Sequence, residues 1–189
     1  MTTPTSPTGT RTTTWILDPK HTLVEFAARY MLFTTVKGRF TGVSGTIRSD
    51  ERDDDPSGSS VEVEIDAASL DTGEPQRDTH LRSADFLDVE RFPSLTFSST
   101  RIEPIDRERF RVYGELTIRD VTREVALDAR RHGRVRTPFG TEVAGFTATT
   151  EINRTDWGLT WNVALEAGGW LVGDTVNILL EVQAIRQED

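Results

Sequence analysis

Apolar and polar side chains alternate at every second residue over most of this chain, and that period admits few folds. Val61, Val63 and Ile65 alternate with Glu62, Glu64 and Asp66. Phe110, Val112, Gly114, Leu116 and Ile118 alternate with Arg111, Tyr113, Glu115, Thr117 and Arg119. Val176, Ile178, Leu180, Val182 and Ala184 do so with Thr175, Asn177, Glu181 and Gln183. Successive side chains of a strand point to opposite faces, so each stretch has one wet side and one buried side. The same pattern over 22–30, 36–48, 95–102, 121–135 and 141–152 completes eight predicted strands. Short polar links such as Arg119-Asp120 and Thr137-Pro138-Phe139-Gly140 predict hairpins between sequence neighbours. Long amphipathic strands in hairpin order must stack as a sandwich or close as a barrel. Strand length favours an all-β, antiparallel barrel, since closure removes long exposed edges.

One segment breaks the alternation. Residues 72–92 carry Pro75, suited to an early helical position, after Asp71 or Thr72 as a cap. A second short turn follows around Ser83–Val89 and stops at Phe92-Pro93. This predicts a short helical excursion between two strands, placed to cap one end of a barrel.

Composition removes several kinds of function. There is no Cys, hence no disulfide, thiolate zinc site, iron–sulfur cluster or Cys nucleophile. The balance of 22 Lys+Arg against 31 Asp+Glu, a net charge of −9, disfavours a nucleic-acid surface. The three His, at 21, 80 and 132, have no metal-ligand spacing. No P-loop, dinucleotide fingerprint or nucleophile elbow is present. Asp53, Asp55, Ser57, Gly58 and Glu64 formally match a calcium loop, but Pro56 and the flanking strands argue for a solvated acidic hairpin loop. No metal and no cofactor are expected.

Residues 1–13, MTTPTSPTGTRTT, read as a flexible tail, and 14–187 as a single domain. No charged n-region precedes an apolar run, and no stretch approaches a membrane span, so the expectation is a cytoplasmic protein.

Barrels of this strand number are either filled by side chains or hold one ligand. Ala28, Gly114, Ala129 and Gly145 are expected inside beside Phe26, Phe97, Phe110 and Phe146. Small residues opposite aromatics could interdigitate or leave a tunnel, and pattern alone does not choose. On the excursion, Arg77, Asp78 and His80 could recognise a head group at the tunnel mouth, or cap and dock the helix. His21 reads as fixing a strand start. Arg154 and Asp156 read as an ion pair closing the barrel, and Trp157, Trp161 and Trp170 as core or entrance.

Seven motifs in order then resemble one family. They are Trp15-Ile16-Leu17-Asp18-Pro19-Lys20-His21-Thr22, Gly38-Arg39-Phe40 with Gly45, and the run Arg77-Asp78-Thr79-His80-Leu81-Arg82-Ser83-Ala84-Asp85-Phe86. Phe92-Pro93 with Phe97-Ser98-Ser99-Thr100, Gly114–Ile118, Ile152–Leu159 and Val172-Gly173-Asp174 complete the set. This pattern is similar to the YceI-like polyisoprenoid-binding proteins. The resemblance implies an extended lipocalin-like barrel, a tunnel for a long isoprenoid or similar amphiphile, a non-catalytic carrier role and often a homodimer. Many relatives are periplasmic, a location the missing leader pattern does not support here. The expected wall contacts of the lipid are Phe26, Tyr30, Phe40, Phe97, Phe110 and Phe146. The expected mouth contacts are Arg77, Asp78, His80, Leu81, Phe86, Trp157 and Trp161. The competing readings are an enzyme using His80 and Asp78 as acid and base, and a filled barrel that binds a protein partner.

Overall fold

A computed structural model describes residues 12–50 and 55–188. The expected eight strands become eight wall positions, three of them bent strands made of two halves. β1 (Thr12–Leu17) and β2 (Leu23–Tyr30) both lie along β11 (Val172–Arg186), with Leu17 opposite Ala184 and Leu23 opposite Glu181. Between them Asp18 accepts hydrogen bonds from the Lys20 backbone and, at 2.7 Å, from the His21 ring. That local bond fixes the corner, the role expected of His21, and it holds the Asp18 carboxyl below its ordinary pKa. β3 (Thr34–Phe40) and β4 (Val43–Asp50) form the next bent strand, and β5 (Ser60–Asp66) with β6 (Leu70–Asp71) the third. β7 (Ser94–Pro104), β8 (Arg109–Ile118), β9 (Val121–Arg136) and β10 (Glu142–Asn153) follow. Each wall position pairs antiparallel with its sequence neighbours, and β11 returns to β1 and β2, closing an eight-position barrel.

Two boundaries differ from the sequence reading. β1 starts at Thr12, two residues inside the expected tail; Thr13 is buried opposite Ser49, because strand pairing accommodates a β-branched polar residue as readily as an apolar one. The rest of that expected tail, residues 1–11, lies outside the described residues. The helix α1 (Pro75–Arg82) begins where Pro75 predicts, but its cap is Glu74, whose carboxylate accepts the Gln76 and Arg77 N–H groups at 3.2 and 2.6 Å. Asp71 instead accepts from Gly73 N–H, within the preceding turn.

Strand direction assigns every connection to one of two ends. Residues 55–59, 105–108 and 137–141 gather at one end, together with Thr12 and Arg186. The β2–β3 turn, the excursion 72–93, the Arg119-Asp120 turn and the connection 154–171 gather at the other. The inner face of the wall carries one continuous apolar cluster, including Leu17, Val24, Phe40, Phe97, Val112, Leu116 and Ile118.

Candidate functional site

Inside the wall lies a cavity of about 240 Å³. It exceeds the roughly 150 Å³ at which an apolar hole stays dry and admits benzene. Its lining follows the strand period: Phe110, Val112, Leu116 and Ile118 from β8, Val61, Val63 and Ile65 from β5, Ile178, Leu180 and Val182 from β11. Phe110 to Ile118 spans eight strand steps, about 26 Å of strand at ~3.3 Å per residue, or ~20 Å along the axis of a barrel with strands tilted near 40°. The barrel is therefore hollow over an elongated apolar bore.

Glycine and phenylalanine set its width together. A Cβ on Gly38 would overlap the Phe26 ring, and one on Gly114 the Phe97 ring. The tip of each ring thus fills the space above a glycine, so interdigitation and an open lumen coexist. Phe26 and Phe40 pack 5.6 Å apart, and Phe110 meets Phe146 edge-on at 6.4 Å. Ala129 is buried on the inner face. Gly145 is not: a Cβ there would meet only His132, because β9 bulges opposite it, and the expected inward position belongs to its neighbours Ala144 and Phe146.

The bore reaches solvent at the end formed by residues 55–59 and 105–108. Its lining there changes from apolar to charged, with Asp50, Asp55, Asp106, Arg107, Arg131 and Arg134. Asp106 is held as an anion, its pKa lowered to about 2 by the N–H groups of Arg109 and Glu108 and by the Arg109 guanidinium. Asp55 caps the short turn Pro56–Gly58. Of the calcium-loop residues, Asp53 and Asp54 lie outside the described residues, and Glu64 accepts from the Ser94 hydroxyl at 2.7 Å.

The expected lipid contacts divide between the two regions. Phe26, Phe40, Phe97, Phe110 and Phe146 line the bore. Arg77, Asp78, His80, Leu81, Phe86, Trp157 and Trp161 do not; they build the opposite, capped end. Tyr30 stands beyond the lining, at the β2–β3 turn. The excursion caps the barrel as expected, but at the end remote from the rim. There Arg77, Asp78, His80 and Arg82 are turned to nearby protein groups, whereas Arg119 buries an unpartnered Nε. Asp78, buried, accepts from both the N–H and hydroxyl of Thr72, and Arg77 donates to the Thr72 hydroxyl and carbonyl. Arg82 donates to the carbonyls of Ala68 and Leu70. His80 contacts Asp85 at 2.8 Å and meets the Trp161 ring edge-on at 4.5 Å, with Phe86 beside both. Asp78 and His80 therefore share neither a partner nor the bore.

The expected pair of Arg154 with Asp156 is replaced by Arg154 with Asp174, at 3.2 Å. Arg154 is 4% exposed and also donates to the carbonyls of Leu159, Trp161, Val172 and Gly173. Desolvation lowers its pKa, opposed by the Asp174 charge. Trp157 donates from Nε1 to the Leu116 carbonyl at 3.0 Å, which plugs the wall below Ile118. Trp170 is 59% exposed on the 154–171 connection, away from the bore. Sequence reading passed over Trp15, Arg107, Arg131 and Arg134, all at the rim; Gly133 within an otherwise regular strand was the available cue to a bulge there.

Comparison with known proteins agrees with this architecture. The YceI-like domain matches residues 15–184. A UPF0312 protein of Pectobacterium atrosepticum is 33% identical over 169 residues, covering 89% of this chain and 83% of that protein. The crystal structure of a Campylobacter jejuni YceI protein is 30% identical with a TM-score of 0.72, covering 85% of this chain and 90% of that one. A polyisoprenoid binding domain from Saccharophagus degradans shares the fold at 16% identity and a TM-score of 0.62, over 90% of this chain and 97% of that one. With a hollow eight-position barrel and a domain match over most of its length, the chain belongs to the YceI-like family.

Proposed function

We propose that this protein holds the hydrocarbon tail of an isoprenoid or similar amphiphile in its bore and carries or stores it without chemical change. The observation that carries this reading is the elongated apolar cavity, lined mainly by strand residues and open at one charged rim. The polyisoprenoid-binding name of the Saccharophagus degradans domain supports it through the shared barrel.

Each buried CH₂ contributes about 0.8 kcal/mol, so ten carbons give about 8 kcal/mol gross. Micromolar affinity requires about that much net, and association costs several kcal/mol first. A bound tail must therefore be longer than about ten carbons, which suits a bore about 20 Å deep. The apolar wall selects by length and shape rather than by chemical identity.

Gently purified protein, extracted with organic solvent, should yield close to one lipid per chain by mass spectrometry, unchanged on prolonged incubation. A chain that carries no lipid and takes up no neutral apolar dye contradicts the binding reading. Steady conversion of the bound lipid contradicts the non-catalytic part.

A further inference from the structure

The rim carries a second element of recognition. Along β9 the inward side chains are Val125, Leu127 and Ala129, each lining the bore, and the alternation continues to Arg131. Arg134 comes three residues later and would face outward in a regular strand. It does not, because β9 holds one extra residue there. Phe146 pairs with Arg131, but Gly145 pairs with Gly133, leaving His132 unpaired in the bulge. Beyond the bulge Arg134 pairs with Ala144, itself part of the bore lining. Two guanidiniums thereby share the inner face at the open end. Bulges at barrel rims re-aim side chains in this way.

Their surroundings carry both signs, since Asp50, Asp55 and Asp106 line the same opening. The Arg134 guanidinium stands 5.1 Å over the indole of buried Trp15, which orients it at the top of the apolar wall. Arg107 lines the same opening from the 105–108 loop, and its backbone carbonyl accepts from Arg131 at 3.1 Å. Among the described residues neither Arg107 nor Arg134 has a carboxylate partner. Of the rim acids, Asp106 accepts from three N–H groups of its own hairpin, Asp55 accepts from Ser57 N–H, and Asp50 also lines the opening. An apolar bore that ends in forked donors matches an apolar tail that ends in an oxyanion.

We propose that the rim arginines, Arg134 and Arg107 with Arg131, bind the anionic head group of the carried amphiphile, a carboxylate or a phosphate monoester, while its tail fills the bore. This rests on the bore reading above and adds the head-group class to it.

The test is displacement of the neutral dye N-phenyl-1-naphthylamine from delipidated protein at low salt. Two matched pairs are compared: dodecanoate with dodecanol, and farnesyl phosphate with farnesol. The anion is expected to bind at least tenfold more tightly than its alcohol in one or both pairs, and the pair showing the preference identifies the head group. In an Arg107→Gln/Arg134→Gln variant that preference should fall below about threefold while alcohol binding stays within twofold. Unchanged alcohol binding also certifies that the variant is folded. Equal binding within both pairs, or a preference that survives the double substitution, overturns the head-group proposal and leaves the bore reading standing. If no member of either pair displaces the dye, the bore reading fails and the head-group proposal falls with it.

Discussion

The two ends of the barrel use arginine in opposite ways. At the capped end Arg77, Arg82 and Arg154 donate to carbonyls of the connections they tie down. At the rim Arg134 stacks on Trp15 and lines the opening of the bore. The residue type is the same; what differs is whether backbone acceptors already surround it. Three of the seven motifs that carry the family resemblance, 77–86, 152–159 and 172–174, fall at the capped end. Those motifs describe how the barrel is sealed.

The sharpest way to break this contrast is to remove Arg154. Arg154→Ala leaves the carbonyls of Leu159, Trp161 and Gly173 without this buried donor, while exposed Asp174 returns to water, and should cost about 3 kcal/mol in urea unfolding. A change below 1 kcal/mol would mean that the sealed end is not held by this side chain. Asp78→Ala removes both bonds to Thr72 and should cost about 1–3 kcal/mol, with dye affinity unchanged once the protein is folded. A selective loss of affinity would instead put the motif of α1 at the ligand.

Gly114→Ala probes the bore itself. The new Cβ overlaps both the Phe97 ring and the Ser98 backbone carbonyl, so the ring moves and the β7–β8 pairing shifts with it, at a cost of about 3 kcal/mol in stability. Long-tailed ligands should lose affinity more than short-tailed ones in the same titration, and uniform loss would argue against a length-reading tunnel.

The smallest effect belongs to the rim loop. Asp106 has a folded pKa of about 2, below its value in an unfolded chain, so the stabilisation it provides is complete above about pH 4 and is lost as pH falls through about 2. Asp106→Asn should therefore lower Tm slightly at pH 6, and the gap from the parent should close toward pH 2. A gap that persists at pH 2 would show that the loop is not held by this carboxylate.

The eight wall positions were legible because each strand has one wet face, and period-2 alternation reports that directly. β1 was partly hidden, since Thr12 and Thr13 read as the end of a polar tail until Ser49 and Asp50 pair with them. Of the five bore-lining phenylalanines, Phe26, Phe97, Phe110 and Phe146 were legible from the same alternation, and Phe40 from the family resemblance. Which end opens was not, because hairpin order specifies neighbours and leaves open which set of loops packs shut. The partner of Arg154 also escaped: Asp156 is nearer in sequence, but the short 3-10 turn Arg154–Trp157 leaves the guanidinium facing the start of β11. The bulge at His132 escaped for a similar reason, since one extra residue shifts register without changing composition.

The most direct measurement is anomalous diffraction from crystals grown with 12-bromododecanoate, whose bromine marks the end of the tail. The account predicts one bromine site per chain inside the wall, between the rim arginines and Ile118. Bromine found only on the outer surface or against α1, with the bore empty, would contradict it.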